Sequence, residues 1–232
     1  MKNILIIGAT SGIAKAITQQ LAKDSNHHLI LTARQPGEGQ HALDLQDDDS
    51  IQAFSKTLLD QATPLDLIIN CVGVLHTDHY QPEKKSSQIN RAQLNHSFNV
   101  NCVGHLLILN QLFPLVRKAT QPVVVSLSAM VGSIDDNRLG GWYSYRMSKA
   151  ALNMGLKTLS IEWKRTAPRC ALIAMHPGTT DTGLSKPFQK NLPKGQAVSC
   201  EQAATRILSV IDTIQPEHTG SFYNFDGSII PW

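Results

Sequence analysis

Two side chains that could move a proton stand four residues apart in the segment YRMSK, residues 145–149. Residues i and i+4 share one face of a helix, so the phenol of Tyr145 and the ammonium of Lys149 can meet. A free phenol has a pKa of about 10, which is too high for efficient proton transfer near neutral pH. Because a nearby positive charge lowers that value, the spacing predicts an acid–base pair. It selects Tyr145 over Tyr143, since Met147 stands four residues after Tyr143.

A glycine-rich turn follows the first apolar run of the chain. Residues 4–7 are apolar throughout, and residues 8–14 read GATSGIA. Glycines at a strand-to-helix turn let the backbone approach a pyrophosphate, which then binds the free N–H groups of the helix N-terminus. The spacing is GxxxGxA, with Ala14 as the third small residue. The turn predicts a dinucleotide site, and its candidate binding residues are Gly8, Thr10, Ser11, Gly12 and Ile13.

The elements that must position these residues alternate along the chain. Short β-rich runs occur at residues 4–7, 28–33, 65–69, 123–127, 171–175 and 222–225, and the clearest helical patterns span about 91–119 and 145–165. Strand–helix alternation predicts an α/β fold, a doubly wound, mostly parallel sheet of about seven strands with helices on both faces. No linker divides residues 1–232, so we expect one domain. Residues 34–44 leave little room for a helix, which predicts a truncated crossover or a loop.

Composition and charge exclude several classes of protein. The net charge is +3 without a basic cluster, so nucleic-acid binding is not expected. The N-terminal apolar run of four residues is too short for a signal peptide or a membrane span. The four cysteines form no CxxC pair and the nine histidines no HxxxH or HExxH pattern. We therefore expect reduced thiols, no metal site and a cytoplasmic location.

Together, the glycine turn and the YxxxK segment resemble the short-chain dehydrogenase/reductase family, over essentially the whole chain. NCVG at residues 70–73 is similar to the family's NNAG segment, and NCVG at 101–104 to its NxxG with the catalytic asparagine. HPG at 176–178, followed by Thr182, resembles its PGxxxT segment near the nicotinamide. GGWYSYR at 140–146 and FDGSIIPW at 225–232 resemble the C-factor-like branch.

This resemblance implies a Rossmann fold and an oxidoreductase that moves a hydride between a nicotinamide and a carbonyl or alcohol carbon. Tyr145 would donate a proton in reduction and accept it in oxidation. Lys149 would also hold the nicotinamide ribose, and Asn101 would anchor a water that links Lys149 to solvent. Further cofactor-binding residues implied by the matching segments are Asn70, Gly73, Pro177, Gly178, Thr180 and Thr182.

A serine that polarises the substrate carbonyl is harder to place. The family usually has it three residues before a glycine, after the strand that ends near Leu127. Counting back from Gly132 gives Ala129. We expect Ser128 to take the role through a one-residue bulge. The alternatives are a site without this hydroxyl and, more distantly, Ser133.

The end of the second strand predicts which dinucleotide binds. NAD-specific members carry an acidic residue there, whereas this chain has Thr32, Ala33 and Arg34. An arginine can pair with a 2′-phosphate, and no carboxylate is placed to repel it. We therefore expect NADP(H) to be preferred over NAD(H). The pair Asp44 and Leu45 resembles the family's adenine-contacting segment.

The substrate is expected to be a small carbonyl or alcohol compound, covered by the loop at about 184–198. Trp142, Phe188 and Leu192 are candidate apolar walls. The resemblance also implies a homodimer or homotetramer formed through the two long helices.

Three rival functions stay open. The first is a dinucleotide-binding sensor or C-factor-like signalling protein with dispensable catalysis, which the Ala129 departure favours mildly. The second is a nucleic-acid-binding protein, for which a basic patch is lacking. The third is an epimerase, although epimerases with YxxxK are usually longer and have a separate substrate lobe.

Overall fold

A computed structural model describes residues 1–191 and 197–232. Its centre is one parallel sheet with the strand order β3-β2-β1-β4-β5-β6-β7. The strands are β1 (Lys2–Ile7), β2 (His27–Ala33), β3 (Gln40–Ala42), β4 (Leu67–Asn70), β5 (Val123–Leu127), β6 (Ala171–Met175) and β7 (Phe222–Tyr223). The order reverses between β1 and β4, and such a switch point opens a crevice at the carboxyl ends of the strands. The expected doubly wound sheet of seven strands is confirmed.

Helices cover both faces of the sheet. They are α1 (Gly12–Leu21), α2 (Asp48–Gln61), α3 (Arg91–Phe98), α4 (Gly104–Val116), α5 (Tyr143–Thr166) and α6 (Cys200–Ile211). Apolar residues of α2, α4 and α5 form one buried core with the sheet, and those of α1 and α6 form a second core on the other face. Because both faces are covered, β4, β5 and β6 are buried at every position.

The connection between β2 and β3 is a loop, residues 34–39, as the short spacing predicted. Two parallel strands normally need a crossover of a dozen or more residues. Here β3 is three residues long and pairs only with the end of β2, from Leu31↔Gln40 to Ala33↔Ala42. The loop therefore has to return along β2 by only three residues before β3 begins, and its six residues are long enough for this.

A helical segment of 26 residues, Arg91–Val116, crosses one face of the sheet. It consists of α3, a π-helical turn at Asn99–Val103 and α4. By length and apolar character the segment could span a membrane, but 56% of its most apolar window is buried inside the protein. Core helices of globular proteins have this same character, so the segment carries no argument for a membrane.

Candidate active site

Helix α5 brings the proposed acid–base pair to the carboxyl end of β5. Tyr145 is 8% exposed and Lys149 is 2% exposed, one helical turn apart on the buried face. The Lys149 Nζ donates to the backbone oxygen of Leu127, the last residue of β5, at 2.8 Å. A Cβ atom on Gly132 would lie 3.0 Å from the Lys149 Cβ, so the turn after β5 rests directly against the helix. Lys149 is thus held by a backbone carbonyl and close packing.

Burial controls the charge of both groups. It lowers the pKa of Lys149 from 10.5 to about 8, because the ammonium loses hydration that the protein replaces only in part. It raises the pKa of Tyr145 well above the ordinary value of 10. We expected Lys149 to lower the tyrosine's pKa, whereas desolvation of the buried phenol raises it. Tyr145 therefore keeps its proton at neutral pH, as a proton donor must.

Asn101 lies in the π-helical turn and is fully buried. Its Oδ1 accepts from the Val74 N–H at 2.7 Å, and its Nδ2 donates to the Val74 carbonyl at 2.8 Å and to Ser148 Oγ at 3.0 Å. A Cβ on Gly73 would lie 3.4 Å from Lys149 Nζ and 3.5 Å from Asn101 Oδ1. The structure therefore brings Asn101, Gly73 and Lys149 together, and π turns of this kind occur often at functional sites.

Ser128, the residue expected to polarise the substrate carbonyl, has a hydrogen-bond partner on α5. Its hydroxyl is buried and donates to Asn153 Oδ1 at 2.6 Å, while Asn153 Nδ2 donates to the Gly132 carbonyl at 3.3 Å. Ala129 of this turn packs in one apolar cluster with Tyr145, and Val131 of the same turn is partly buried against it. Ser133, the distant alternative, is buried and accepts from the Asp136 N–H at 3.1 Å. The Ser128 hydroxyl is thus hydrogen-bonded to Asn153, and the methyl group of Ala129 lies in the cluster with Tyr145; the role of Ser128 stays a prediction.

The glycine turn has the shape that a pyrophosphate site needs. Gly8 has a φ of +77°, and a Cβ there would lie 2.8 Å from the Val72 side chain. A Cβ on Gly12 would lie 2.8 Å from Cys200 Sγ. Ser11 caps α1 by accepting from the Ala14 N–H at 3.3 Å. Thr10 is exposed and Ile13 is partly exposed beside them, so the turn offers backbone N–H groups and a hydroxyl to a ligand.

Other candidate cofactor-binding residues lie at the carboxyl ends of β4 and β6. Asn70 ends β4, and its Nδ2 is buried without a partner among the described residues, as is the Nδ1 of His176 after β6. Gly178 follows with a φ of +79°. Pro177 precedes it, Thr180 is buried and donates to the Gly178 carbonyl at 3.4 Å, and the Thr182 N–H donates to Ser185 Oγ at 3.3 Å. A glycine cradle with unpaired polar groups around it fits a dinucleotide.

The residues expected to select the dinucleotide lie at the ends of β2 and β3. Arg34 is exposed directly after β2, and Thr32 Oγ1 accepts from the Gly8 N–H at 3.3 Å, which ties this strand end to the glycine turn. The carboxylate of Asp44 accepts from the Gln46 N–H at 3.0 Å. Leu45 is buried, and its carbonyl oxygen would lie 2.3 Å from a Cβ on Gly104.

Apolar and aromatic side chains pack in one cluster with Tyr145. The Trp142 ring lies 6.3 Å from the Tyr145 ring and 5.1 Å from the Phe188 ring, both edge to face. Leu75, Val131 and Leu184 belong to the same cluster. Trp142 and Phe188 therefore belong to one apolar cluster with Tyr145, whereas Leu192 lies outside the described residues.

Sequence reasoning missed two residues that position the site. Glu83 is 2% exposed, and its carboxylate accepts from the N–H and the hydroxyl of Ser144, one residue before Tyr145. It therefore caps α5 from a distant loop, and nothing in its sequence surroundings indicates this. Asn153 could have been found, because it follows Lys149 by four residues and so shares the face that carries Tyr145.

Comparisons with known proteins identify the family of the chain. The profile of the family described as short chain dehydrogenase matches residues 2–193. The 1-hydroxy-2-glutathionyl-2-methyl-3-butene dehydrogenase of Rhodococcus sp. (strain AD45) is 28% identical over 240 aligned residues, which cover all of both chains. C-signal of Myxococcus xanthus is 30% identical over 169 residues, 73% of this chain and 93% of that protein.

A solved structure supports the fold. The NADPH-bound carbonyl reductase from chicken fatty liver superposes with a TM-score of 0.87 at 23% identity, over 100% of this chain and 94% of that one. The family profile covers most of the chain, including the glycine turn and the YxxxK segment. The chain therefore belongs to the short-chain dehydrogenase/reductase family and is an oxidoreductase of that family.

Proposed function

We propose that the protein is an NADP(H)-dependent oxidoreductase that transfers a hydride between the nicotinamide and a carbonyl or alcohol carbon, with Tyr145 as the acid–base group. The observation that carries the proposal is the buried pair on α5: Tyr145 and Lys149 lie one turn apart beside the end of β5. Lys149 lies near Gly73, which follows β4 at the point where the strand order reverses, and ligands of doubly wound sheets bind at such points.

The chain's own groups supply proton transfer and positioning. When bound, the dinucleotide supplies the hydride in reduction or takes it in oxidation. Tyr145 is protonated at neutral pH because burial raises its pKa, so it can donate to the substrate oxygen as negative charge develops there. Lys149 lies one helical turn from Tyr145 and is fixed by the Leu127 carbonyl, and its positive charge would stabilise the phenolate that remains.

The role of Tyr145 can be tested with a matched pair of variants. Tyr145→Phe removes the hydroxyl and should lower kcat by about 10²–10⁴-fold, the usual contribution of a general acid. NADPH binding should be kept, because the ring remains. Tyr143→Phe, two residues earlier on the same helix, should leave kcat within about threefold. Equal losses in the two variants would exclude the specific role of Tyr145.

The cofactor preference rests on Arg34. It is exposed at the end of β2, next to a strand end that is hydrogen-bonded to the glycine turn, and a guanidinium pairs well with a phosphate monoester. The chicken carbonyl reductase, which shares the fold, was solved with NADPH bound. Fluorescence titration should show tighter binding of NADPH than of NADH, and Arg34→Gln should reduce the difference at least tenfold. Tighter NADH binding by the unaltered chain would overturn the preference but not the enzyme class.

A dinucleotide-binding sensor with dispensable catalysis is the second candidate. Ala129 beside Tyr145 favours it, because the site lacks a hydroxyl that a hydride-transfer enzyme of this family ordinarily uses. The likeness to C-signal of Myxococcus xanthus adds to this. The two functions separate in a cell-based assay: a Tyr145→Phe chain that still binds NADPH keeps the biological effect of a sensor and loses that of an enzyme.

We also propose that the chain forms a homodimer or homotetramer through its long helices. Met147, Met154 and Ile161 of α5 recur every seven residues and are 56%, 67% and 54% exposed. Leu107 of α4 is 37% exposed. Such a stripe on neighbouring helices suits a two-fold helical interface. Sedimentation should give a dimer or larger, and Met154→Lys should shift it to the monomer; a monomeric unaltered chain would exclude the proposal.

A further inference from the structure

The turn after β5 presents a methyl group to the proposed substrate site. Ala129 is 8% exposed and packs with Leu75 and Tyr145. Its backbone is extended, with φ −152° and ψ 147°, and successive side chains of an extended chain point to opposite sides. Ser128 therefore points away from the side that Ala129 faces, toward Asn153. The order of these two residues decides which group lies beside Tyr145.

The serine hydroxyls that flank Tyr145 on α5, those of Ser144 and Ser148, cannot take the place of a hydroxyl at position 129 without losing a hydrogen-bond partner. The Ser144 hydroxyl donates to the buried carboxylate of Glu83. The Ser148 hydroxyl donates to the backbone carbonyl of Tyr145 at 2.9 Å and also accepts from Asn101. Breaking either bond would leave a buried polar group unpaired, which costs about 1–3 kcal/mol. Among the described residues, the hydroxyl that this cluster offers to a substrate oxygen is that of Tyr145.

A single hydroxyl donor changes which carbonyls can react. A hydride adds to the carbonyl carbon, the π electron pair moves to the oxygen, and the oxygen takes the Tyr145 proton. Negative charge builds on the oxygen before the proton is fully transferred, and one well-placed donor at that point contributes about 10²–10³-fold to the rate. Where the protein supplies one hydroxyl fewer, the substrate must spread this charge itself through electron-withdrawing groups.

We propose that Ala129 restricts this enzyme to electron-poor aromatic carbonyl compounds. The restriction to aromatic substrates follows from the walls: the Trp142 and Phe188 rings stand edge to face, 5.1 Å apart, and Trp142 also contacts the Tyr145 ring. His76 extends this surface, with its ring 5.7 Å from that of Phe188 and its Nε2 3.2 Å from the Gly183 carbonyl oxygen. A flat ring can pack against this aromatic surface. This proposal rests on the proposed function and names the substrate class of the same site.

The test compares three benzaldehydes that differ only in the para substituent: nitro, hydrogen and methoxy. For the unaltered protein with NADPH, kcat/KM should fall steeply from the nitro to the methoxy compound. Ala129→Ser should raise kcat/KM for the methoxy compound by about 100-fold, as one added donor does, and should raise it much less for the nitro compound. Ala129→Cys is the matched control, because a thiol has a similar shape and donates only weakly.

Each result bears on a definite part of the reasoning. A kcat/KM independent of the substituent in the unaltered protein overturns the inference and leaves the proposed function intact. An equal gain in Ala129→Ser and Ala129→Cys overturns it as well, since volume rather than hydrogen bonding then explains the effect. If methylglyoxal, an activated carbonyl without a ring, reacts as well as the nitro compound, the aromatic restriction is wrong. Bound NADPH without turnover of any of these compounds overturns this inference, because the substrate class that it names is then wrong, while the proposed function is tested separately by the Tyr145→Phe and Tyr143→Phe pair.

Discussion

Lys149 should lower the stability of the folded chain at neutral pH. Burial lowers its pKa from 10.5 to about 8, and the group is 2% exposed. The difference of about 2.5 between these values corresponds to about 3 kcal/mol of free energy. At pH 7 the lysine is charged in both states, and only the folded state bears the cost of burying the charge. The site therefore keeps a lysine that opposes folding.

The sign of the pH dependence follows from proton binding. Between the folded pKa of about 8 and the ordinary value of 10.5, the unfolded chain holds a proton on Lys149 that the folded chain has lost. Stability rises with pH wherever the unfolded state binds more protons. The destabilisation is therefore complete below about pH 8, declines through this interval and is absent above it.

Lys149→Met removes the charge and keeps an unbranched apolar side chain. The variant also leaves the Leu127 carbonyl without its donor, a loss that does not depend on pH. The informative quantity is thus the difference in unfolding free energy, variant minus unaltered protein, at pH 7 compared with pH 10. We expect this difference to be about 2 kcal/mol larger at pH 7.

Urea unfolding followed by tryptophan fluorescence measures this quantity without any cofactor. Lys164→Met, at an exposed lysine on the same helix, is the control and should show no such change between the two pH values. A change in Lys149→Met below about 0.5 kcal/mol, or one of the opposite sign, would refute the reasoning. It would mean that Lys149 is charged and well solvated in the folded protein.

Three further predictions concern stability. Burial lowers the pKa of His105 to about 3, so between that value and the ordinary 6.5 the unfolded chain binds a proton that the folded chain does not; at pH 5 this should cost about 2 kcal/mol relative to neutral pH, and His105→Leu should be less sensitive to acid in urea unfolding, whereas parallel pH profiles would contradict the prediction. Glu83→Ala should lower the unfolding free energy by about 3 kcal/mol, because the buried Ser144 N–H and hydroxyl both lose their acceptor; the exposed Glu217→Ala is its control, and equal thermal shifts in the two would count against the cap. Gly104→Ala should cost about 1–3 kcal/mol, since its Cβ would lie 2.3 Å from the Leu45 carbonyl oxygen, while Gly183→Ala, with open space around it, should be nearly neutral; a neutral Gly104→Ala would show that the backbone there can move apart.

The sequence was most informative where burial is complete. The bounds of β5 and β6 agree with the predicted runs at 123–127 and 171–175, because both strands are covered on both faces and so contain apolar or small residues throughout. By contrast, β3 has the sequence QHA, which carries no apolar pattern. It becomes a strand only because β2 offers it a free edge, and that is a tertiary effect.

The long helix shows a similar limit. Residues 91–119 were predicted as one helix, and the structure has helix from Arg91 to Val116 with a π turn in the middle. The spacing of apolar residues predicts which face of a helix is buried, but it does not reveal the one extra residue of a π turn. That extra residue places Asn101, whose two hydrogen bonds to Val74 reach a different loop.

The different surroundings of Ser128 and Ala129 explain why residue spacing alone does not locate a catalytic serine here. Tyr145, Lys149 and Asn153 follow one another at intervals of one turn on α5. On this helix face, Tyr145 packs in the apolar cluster with Ala129, Lys149 binds the last carbonyl of β5, and Asn153 binds Ser128 in the turn that follows β5. A serine within reach of Asn153 gains a buried hydrogen bond of 2.6 Å, and a serine facing the apolar cluster would gain none in the free protein. The serine at position 128 therefore stabilises the fold through its hydrogen bond to Asn153, and the residue beside Tyr145 is an alanine. The site then lacks a hydroxyl donor that would stabilise the developing negative charge on the substrate oxygen. Electron-withdrawing groups of the substrate have to spread that charge instead.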